Sequence, residues 1–297
     1  METETKMSIK EFLTATQYNI GFVENELEDI INGEPIKVNW MKHNYKDRWF
    51  ADPFILDVTE ENYIVLVEEW YDPISRGRIS KLIVDRTDFT LKDIKTILEL
   101  DSHLSFPFIQ RTKDGIYIIP ENSATGQLPR YKYDSTTDEV CFDSIICHDR
   151  LTDSVPFCYQ GEDFMFSTKL PDANGKELGI YKKEDDGTYT QYNSYNFKEN
   201  LSRMAGDVFT CNGKLYRPAQ VCIKSYGDAV SLQEVLFNNG KFHFQELRRL
   251  YSPSPKYNLG FHTFNVYNDS IVVDGLGYRR YYISNIIKRL WHIIKFK

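Results

Sequence analysis

Paired cysteines are missing from this chain. The five present, Cys141, Cys147, Cys158, Cys211 and Cys222, are odd in number and form no C-x-x-C pair. That pattern excludes a disulfide framework and a cysteine zinc site, and predicts reduced, mostly buried thiols. No uninterrupted run of about 18 apolar residues occurs, so no spanning helix is expected. The first residues, METETKMSIKEF, are polar and carry acids rather than an apolar signal stretch, which predicts a cytoplasmic protein. Positive charge is also short: 36 Lys and Arg face 43 Asp and Glu, a formal charge of −7, and nucleic acid is not an expected partner. Neither G-x-G-x-x-G nor G-x-x-x-x-G-K-[ST] is present, so no glycine-rich phosphate cradle is expected.

Aromatic residues, by contrast, are abundant. Twenty Tyr and nineteen Phe favour β-structure and, less specifically, carbohydrate contact, because an aromatic face matches the apolar face of a sugar ring. The chain also repeats itself. ADPFILDVTEENYIVLVEEW (51–70), SFPFIQRTKDGIYIIPENS (105–123), DSVPFCYQGEDFMFSTK (153–169), AGDVFTCNGKLYRPAQ (205–220) and FHTFNVYNDSIVVDG (261–275) share one plan. Each has an apolar strand, a polar turn, then a second apolar strand ending in polar residues, which is a hairpin signature. The anchors Phe54, Phe108, Phe157, Phe209 and Phe264 recur about every fifty residues, the period of propeller blades.

The fold class expected is therefore all-β: a five-bladed β-propeller over residues 1–278, followed by a C-terminal amphipathic α-helix. The blades fall near 48–100, 101–150, 151–200, 201–255 and 256–278. The last runs out of chain, and the isolated strand 17–23 is expected to supply its missing outer strand and close the ring.

In a propeller the first strand of each blade lines the channel and the second runs antiparallel to it. Starts of first strands and ends of second strands therefore share one rim. Asp52, Asp153, Asp207 and His262 occupy such starts; Glu68, Glu121, Arg217, Gln220 and Asp274 occupy such ends, with Arg203 just upstream of blade four. Glu69, next to Glu68, is expected to point the other way because strand side chains alternate. Asp52 stands out, since Trp49, Phe50, Phe54, Ile55 and Leu56 surround it in sequence and an unpaired charge there is costly. Carboxylates brought close together raise one another's pKa and so poise a general acid or base.

FADPFI (50–55), FPFI…GIYIIPENS (106–123), DSVPF (153–157), GKLYRPAQ (213–220) and HTFNVYNDSIVVDG (262–275) resemble two groups of five-bladed glycan-active propellers. One is the glycoside hydrolase family 43 and arabinanase/levansucrase type. The closer is the family typified by the N-terminal region of glucosamine inositolphosphorylceramide transferases. The hydrolase resemblance implies Asp52 as general base, Asp153 as the acid that tunes the proton donor, and a glutamate near the start of blade four. This chain has SRMAGD there and no glutamate, with Glu121 the remaining candidate for that proton donor. Inverting hydrolysis needs a second carboxyl, whereas a phosphate leaving group needs positive charge.

These residues predict a transferase in surface-polysaccharide or glycolipid assembly. Asp52, Asp153 and Glu121 are its expected catalytic residues; Glu68, Arg203, Arg217, Gln220, His262 and Asp274 are expected to bind substrate, the arginines at the donor phosphate. A sugar nucleotide is the donor implied and a carbohydrate or lipid-linked glycan the partner. No metal ligand set is assigned, and the D-x-D motif of many glycosyltransferases is absent. A family 43-like hydrolase and a non-catalytic glycan-binding propeller are the alternatives.

The tail RRYYISNIIKRLWHIIKFK (279–297) has six basic residues and no acid. Ile283, Ile286, Ile287, Leu290, Trp291 and Ile294 fall on one helical face, the pattern of a peripheral anchor on anionic lipid at the inner membrane face. A terminal helix packed on the propeller is the other reading of the same pattern.

Overall fold

The computed structural model describes residues 14–280 and 283–284. Its strands form five antiparallel four-stranded sheets, each of them one blade. Blade one holds β3 (Arg48–Val58), β4 (Asn62–Tyr71), β5 (Arg76–Asp85) and β6 (Leu91–Leu98). Blade two holds β7 (Ser105–Thr112), β8 (Gly115–Glu121), β9 (Leu128–Asp134) and β10 (Glu139–Cys147). Blade three runs through β11 (Leu151–Tyr159), β12 (Glu162–Lys169), β13 (Glu177–Lys183) and β14 (Tyr189–Asn196). Blade four runs through β15 (Phe209–Cys211), β16 (Lys214–Val221), β17 (Ala229–Asn238) and β18 (Lys241–Leu250).

Blade five joins the two ends of the chain. Its inner strands β19 (Phe264–Tyr267) and β20 (Ser270–Tyr278) are completed by β1 (Thr16–Val23) and β2 (Val38–Trp40), in the order β19-β20-β1-β2. β1 pairs with β20 from Thr16↔Tyr278 to Val23↔Ile271. It is thus the third strand; the short β2, which follows helix α1 (Leu27–Ile31), is outermost. This pairing covers the edge of β20 that the end of the chain would otherwise leave open.

The blades are glued face to face by the apolar residues of their inner strands. Phe54 packs edge-on against Phe106 and Phe108, with ring centroids 4.9 and 6.0 Å apart. Ile20 and Phe22 of β1 join Met41, Phe50, Val65, Val67 and Val272 between blades five and one. No helix among the described residues is long and apolar enough to cross a membrane. The helix expected over 279–297 lies almost wholly outside the described residues.

The inner strands of blades one to three share a defect that positions the site. Ala51 pairs with Glu68, yet Phe54 pairs with Leu66; Ser105 pairs with Glu121 and Phe108 with Ile119; Thr152 pairs with Thr168 and Val155 with Phe166. Each inner strand therefore carries one extra residue, a β-bulge, at the same height. At each bulge one non-glycine residue has left-handed backbone: Asp52 (φ 49°), Phe106 (φ 43°) and Asp153 (φ 46°). Pro53 and Pro107 follow directly, at positions where a proline costs no ladder bond. This register corrects the anchor of blade three: the counterpart of Phe54 and Phe108 is Val155, and Phe157 lies two residues further down the strand.

Ile20 is fully buried in the closing strand. Ile20→Ala is expected to lower stability by about 2–4 kcal/mol. Urea unfolding reads this directly, and a loss below about 0.5 kcal/mol would mean β1 is not part of the cooperative ring.

Candidate active site

The bulges and the ends of the second strands meet at one mouth of the channel. There the backbone amide of each bulge residue donates to a carboxylate of the preceding blade. Asp52 N–H reaches Asp274 Oδ2 (3.0 Å), Phe106 N–H reaches Asp52 Oδ2 (3.1 Å) and Asp153 N–H reaches Glu121 Oε2 (3.3 Å). These bonds fix the carboxyls at the rim and partly offset their burial.

Two carboxyl pairs result, each with its own cation. Asp52 and Glu68, both in blade one, are hydrogen-bonded to each other. The cation beside them is His262, whose Nε2 lies 3.4 Å from Asp52 Oδ1 and whose Nδ1 is 2.7 Å from Asp274. Asp153 and Glu121, from blades three and two, form the second hydrogen-bonded pair. Arg203 binds both: Nε to Asp153 Oδ2 at 2.5 Å and Nη2 to Glu121 Oε2 at 3.0 Å, while Nη1 donates to Asn174 Oδ1 at 3.0 Å. Gln220 Nε2 adds a 2.8 Å bond to Asp153.

The protonation states follow from these contacts. Burial raises Asp52 to about 6, against the pull of His262 and with the push of Asp153 and Asp274. Burial raises Asp153 to about 7; Arg203 opposes this and Glu121 adds to it. Glu68 is raised by burial, then by Asp52 and Glu121. His262 loses basicity to burial, but Asp274 and Asp52 more than restore it, to about 9, so it is an imidazolium at neutral pH. Asp274 is held below the usual range although burial opposes this. His262 charges against it, and its oxygens accept the amides of Asp52, His262 and Thr263.

Asp52, His262 and Asp274 offer ligand atoms within 4.8 Å of one another, close enough for a metal ion. The oxygens of Asp274 are already committed to three amides and the His262 ring, so the trio is held by its own proton and hydrogen bonds.

Two of the sequence-predicted residues stand elsewhere. Arg217 was expected at the donor phosphate but is fully buried inside blade four, between Phe197 and Phe244 with ring centroids 5.2 and 5.0 Å away. Its Nη2 donates to the carbonyls of Leu201 (3.0 Å) and Ser202 (2.7 Å), which fastens the segment leading into Arg203. It supports the site from behind. The reason is strand alternation: Gln220, three residues along β16, takes the opposite face and reaches the ring. Asp207 is also apart. Its amide donates to Asn265 Oδ1, and burial lifts it to about 7 with Arg111 as the opposing charge. Glu69 does turn away, into ion pairs with Arg48 and Arg78.

Sequence reasoning missed the aromatic clamp on His262. Tyr18 stacks on the imidazole at 4.5 Å and Tyr226 meets it edge-on at 5.4 Å, with the Arg203 guanidinium 5.1 Å from the Tyr226 centroid. The expectation of 17–23 as an outer strand gave no sign of this, since only its pairing with β20 brings Tyr18 to His262. Two glycines make room: a Cβ on Gly227 (φ +60°) would lie 2.5 Å from His262 Cβ, and one on Gly77 would meet Glu68 Oε1 at 2.8 Å.

The pH dependence of stability has a definite sign. Asp52, Asp153 and His262 all have folded pKa values above the ordinary ones, so the folded state binds more protons than the unfolded chain. Stability from the two acids declines as pH rises from about 4 to 7, and that from His262 declines from about 6.5 to 9. Thermal unfolding should give a midpoint that falls from mildly acidic to alkaline pH, and His262→Gln should flatten the upper part of that fall. A midpoint rising across this range would contradict the protonation scheme.

Solved structures that share the fold include family 43 glycoside hydrolases. An exo-β-1,3-galactanase from Phanerochaete chrysosporium superposes with a TM-score of 0.53 and 9 % identity, over 80 % of this chain and 58 % of that one. A β-xylosidase gives 0.55 and 12 %, over 79 % and 85 %. At such identities the likeness is one of fold. Among curated proteins, glucosamine inositolphosphorylceramide transferase 1 of Arabidopsis thaliana is 26 % identical over 196 residues, and that of Oryza sativa subsp. indica 26 % over 199. The matches cover 63 % and 64 % of this chain but only 25 % and 27 % of those proteins, so the chain spans about a quarter of their length. The family described as glucosamine inositolphosphorylceramide transferase 1, N-terminal, matches residues 36–256, a span that includes Asp52, Glu68, Glu121, Asp153, Arg203 and Gln220. The chain, a five-bladed propeller with two acid pairs at its mouth, belongs to that family.

Proposed function

We propose that the propeller mouth is the acid–base centre of a glycosyltransferase that moves a sugar from a nucleotide donor to a carbohydrate or phosphoinositol-bearing lipid acceptor. Support comes above all from the pairing of each acid couple with a fixed cation. Asp52, with a pKa of about 6, is mostly ionised at neutral pH and takes the proton of the acceptor hydroxyl. The acceptor oxygen then bonds to the anomeric carbon as the donor phosphate departs with the bonding electrons. Arg203 and the His262 imidazolium supply the positive potential that a phosphate leaving group requires. Arg203 stands where the likeness to hydrolases predicts a glutamate. Its three contacts to Asp153, Glu121 and Asn174 make its role electrostatic rather than that of a direct phosphate clamp.

A second reading is favoured by Asp153. With a pKa of about 7 it holds a proton in a large share of molecules at neutral pH, as a hydrolase's general acid must. The product separates the two: sugar joined to an acceptor, or free sugar.

We place the reaction at the cytoplasmic membrane face, with residues 279–297 as a peripheral attachment. Flotation with anionic liposomes should be reduced when these residues are removed; unchanged flotation would count against the attachment.

The test of the chemistry is mass-spectrometric. Incubating the full chain with nucleotide sugars and a phosphoinositol lipid should yield a sugar-extended lipid. Asp52→Asn should slow its formation by about 10²–10⁴-fold while the variant stays folded. The wild-type rate should rise with pH through about 6, as Asp52 ionises. Release of free sugar from an oligosaccharide, lost in both Asp52→Asn and Asp153→Asn, would replace the transferase with the hydrolase.

A further inference from the structure

Both arginines assigned to phosphate from the sequence are occupied elsewhere, which leaves the phosphate of such a substrate without a seat at the ring. A furrow at the junction of blades five and one supplies one. Its outer part has a volume of about 880 Å³ and lies among Trp40, Lys42, His43, Lys256 and Tyr257. Its inner part, about 930 Å³, lies among Lys46, Trp49, Trp70, Asp72 and Arg279. Gln17 and Tyr45 line both parts, so the two adjoin.

The charge of this furrow is opposite to that of the protein. Lys42, Lys46 and Lys256 are exposed and form no ion pair among the described residues. The one acid in the lining, Asp72, is taken by the forked Arg279 guanidinium, with Nη2 to Oδ1 at 2.9 Å. His43 registers the excess: burial, then Lys256, drops it to about 4, so it stays neutral. On a chain of net charge −7, three lysines without ion pairs gather along this furrow, Lys256 with its Nζ 4.9 Å from the Tyr257 ring centroid.

The inner end of the furrow is aromatic and adjoins the acids. Trp49 and Trp70 stand parallel, with centroids 5.5 Å apart and an interplanar angle of 1°. Trp49 touches Tyr18 at 5.4 Å, and Tyr18 stacks on His262 at 4.5 Å. A sugar ring lying against these tryptophans would therefore be two ring contacts from His262 and its partner Asp52.

We propose that the furrow binds a sugar phosphate, its phosphate among Lys42, Lys46 and Lys256 and its sugar against the Trp49–Trp70 wall. The proposal rests on the glycosyl-transfer reading for its place in a reaction, and on furrow charge and shape for the ligand. A phosphorylated sugar could enter from a nucleoside diphosphate donor or from the headgroup of a phosphoinositol lipid. The two share the anionic phosphate that lysines recognise.

Titration calorimetry on the full chain tests this with UDP and myo-inositol 1-phosphate as probes and uncharged myo-inositol as control. At least one phosphate probe should bind wild type and weaken as salt rises from about 50 to about 500 mM. Its affinity should fall about tenfold or more in Lys42→Glu/Lys256→Glu, whose exposed sites leave thermal unfolding unchanged. Trp70→Ala should weaken myo-inositol 1-phosphate more than inorganic phosphate. The probe that binds identifies the source. Equal affinity of wild type and the double variant, or no binding of either phosphate up to about 10 mM, overturns the proposal. Because the readout is binding, Asp52→Asn should retain it. Salt-sensitive binding without any transfer product would remove the transferase and keep the furrow, and the converse result would remove the furrow alone.

Discussion

The mouth of this propeller depends on amide-to-carboxylate hydrogen bonds that run from blade to blade. Asp274 of blade five holds the bulge of blade one, Asp52 of blade one holds the bulge of blade two, and Glu121 of blade two holds that of blade three. A left-handed non-glycine residue costs of the order of 1–2 kcal/mol, and a bulge leaves an amide outside the strand ladder. The acids compensate both, and the bulges of blades one and three in turn carry two of the acids, Asp52 and Asp153. Site geometry and blade packing thus share the same hydrogen bonds.

Electrostatics completes it. Buried carboxyls in apolar surroundings either take up protons or find cations. Here both happen: Asp52 and Asp153 are raised toward neutrality, while His262 and Arg203 balance the charge that remains. The cations are themselves held. Tyr18 and Tyr226 enclose the imidazole, and Arg217, buried behind blade four, fastens the carbonyls that precede Arg203. A site fixed to this degree needs little rearrangement when charge develops in a reaction.

Most of the fold and much of the ring are legible in the sequence. Five hairpins of one plan, about fifty residues apart, announce blades, and polar residues at fixed places within each hairpin announce a shared rim. Asp52, Glu68, Glu121, Asp153, Arg203, Gln220, His262 and Asp274 all lie there. Phe157 misled because a bulge shifts register without altering composition; Val155 holds the place, and a hydrophobic pattern does not distinguish them. Arg217 misled for a related reason. It belongs to the right strand, but whether a residue faces the channel or the neighbouring blade depends on an alternation whose phase pairing alone sets. β2 is too short, at three residues, to register as a strand in a pattern of alternating polarity.

By itself the sequence determined what depends on local chemistry and period: all-β structure, five repeats, the convergence of acids, and a chain of acidic charge. Tertiary structure alone decided which charges meet. That Arg203 binds two acids from different blades while Arg217 touches none, and that Lys256 comes to lie along the same furrow as Lys42 and Lys46, are facts of juxtaposition. Charge interactions act over a few ångströms in space, and the ring brings together residues more than two hundred positions apart. No pattern along the chain encodes those distances.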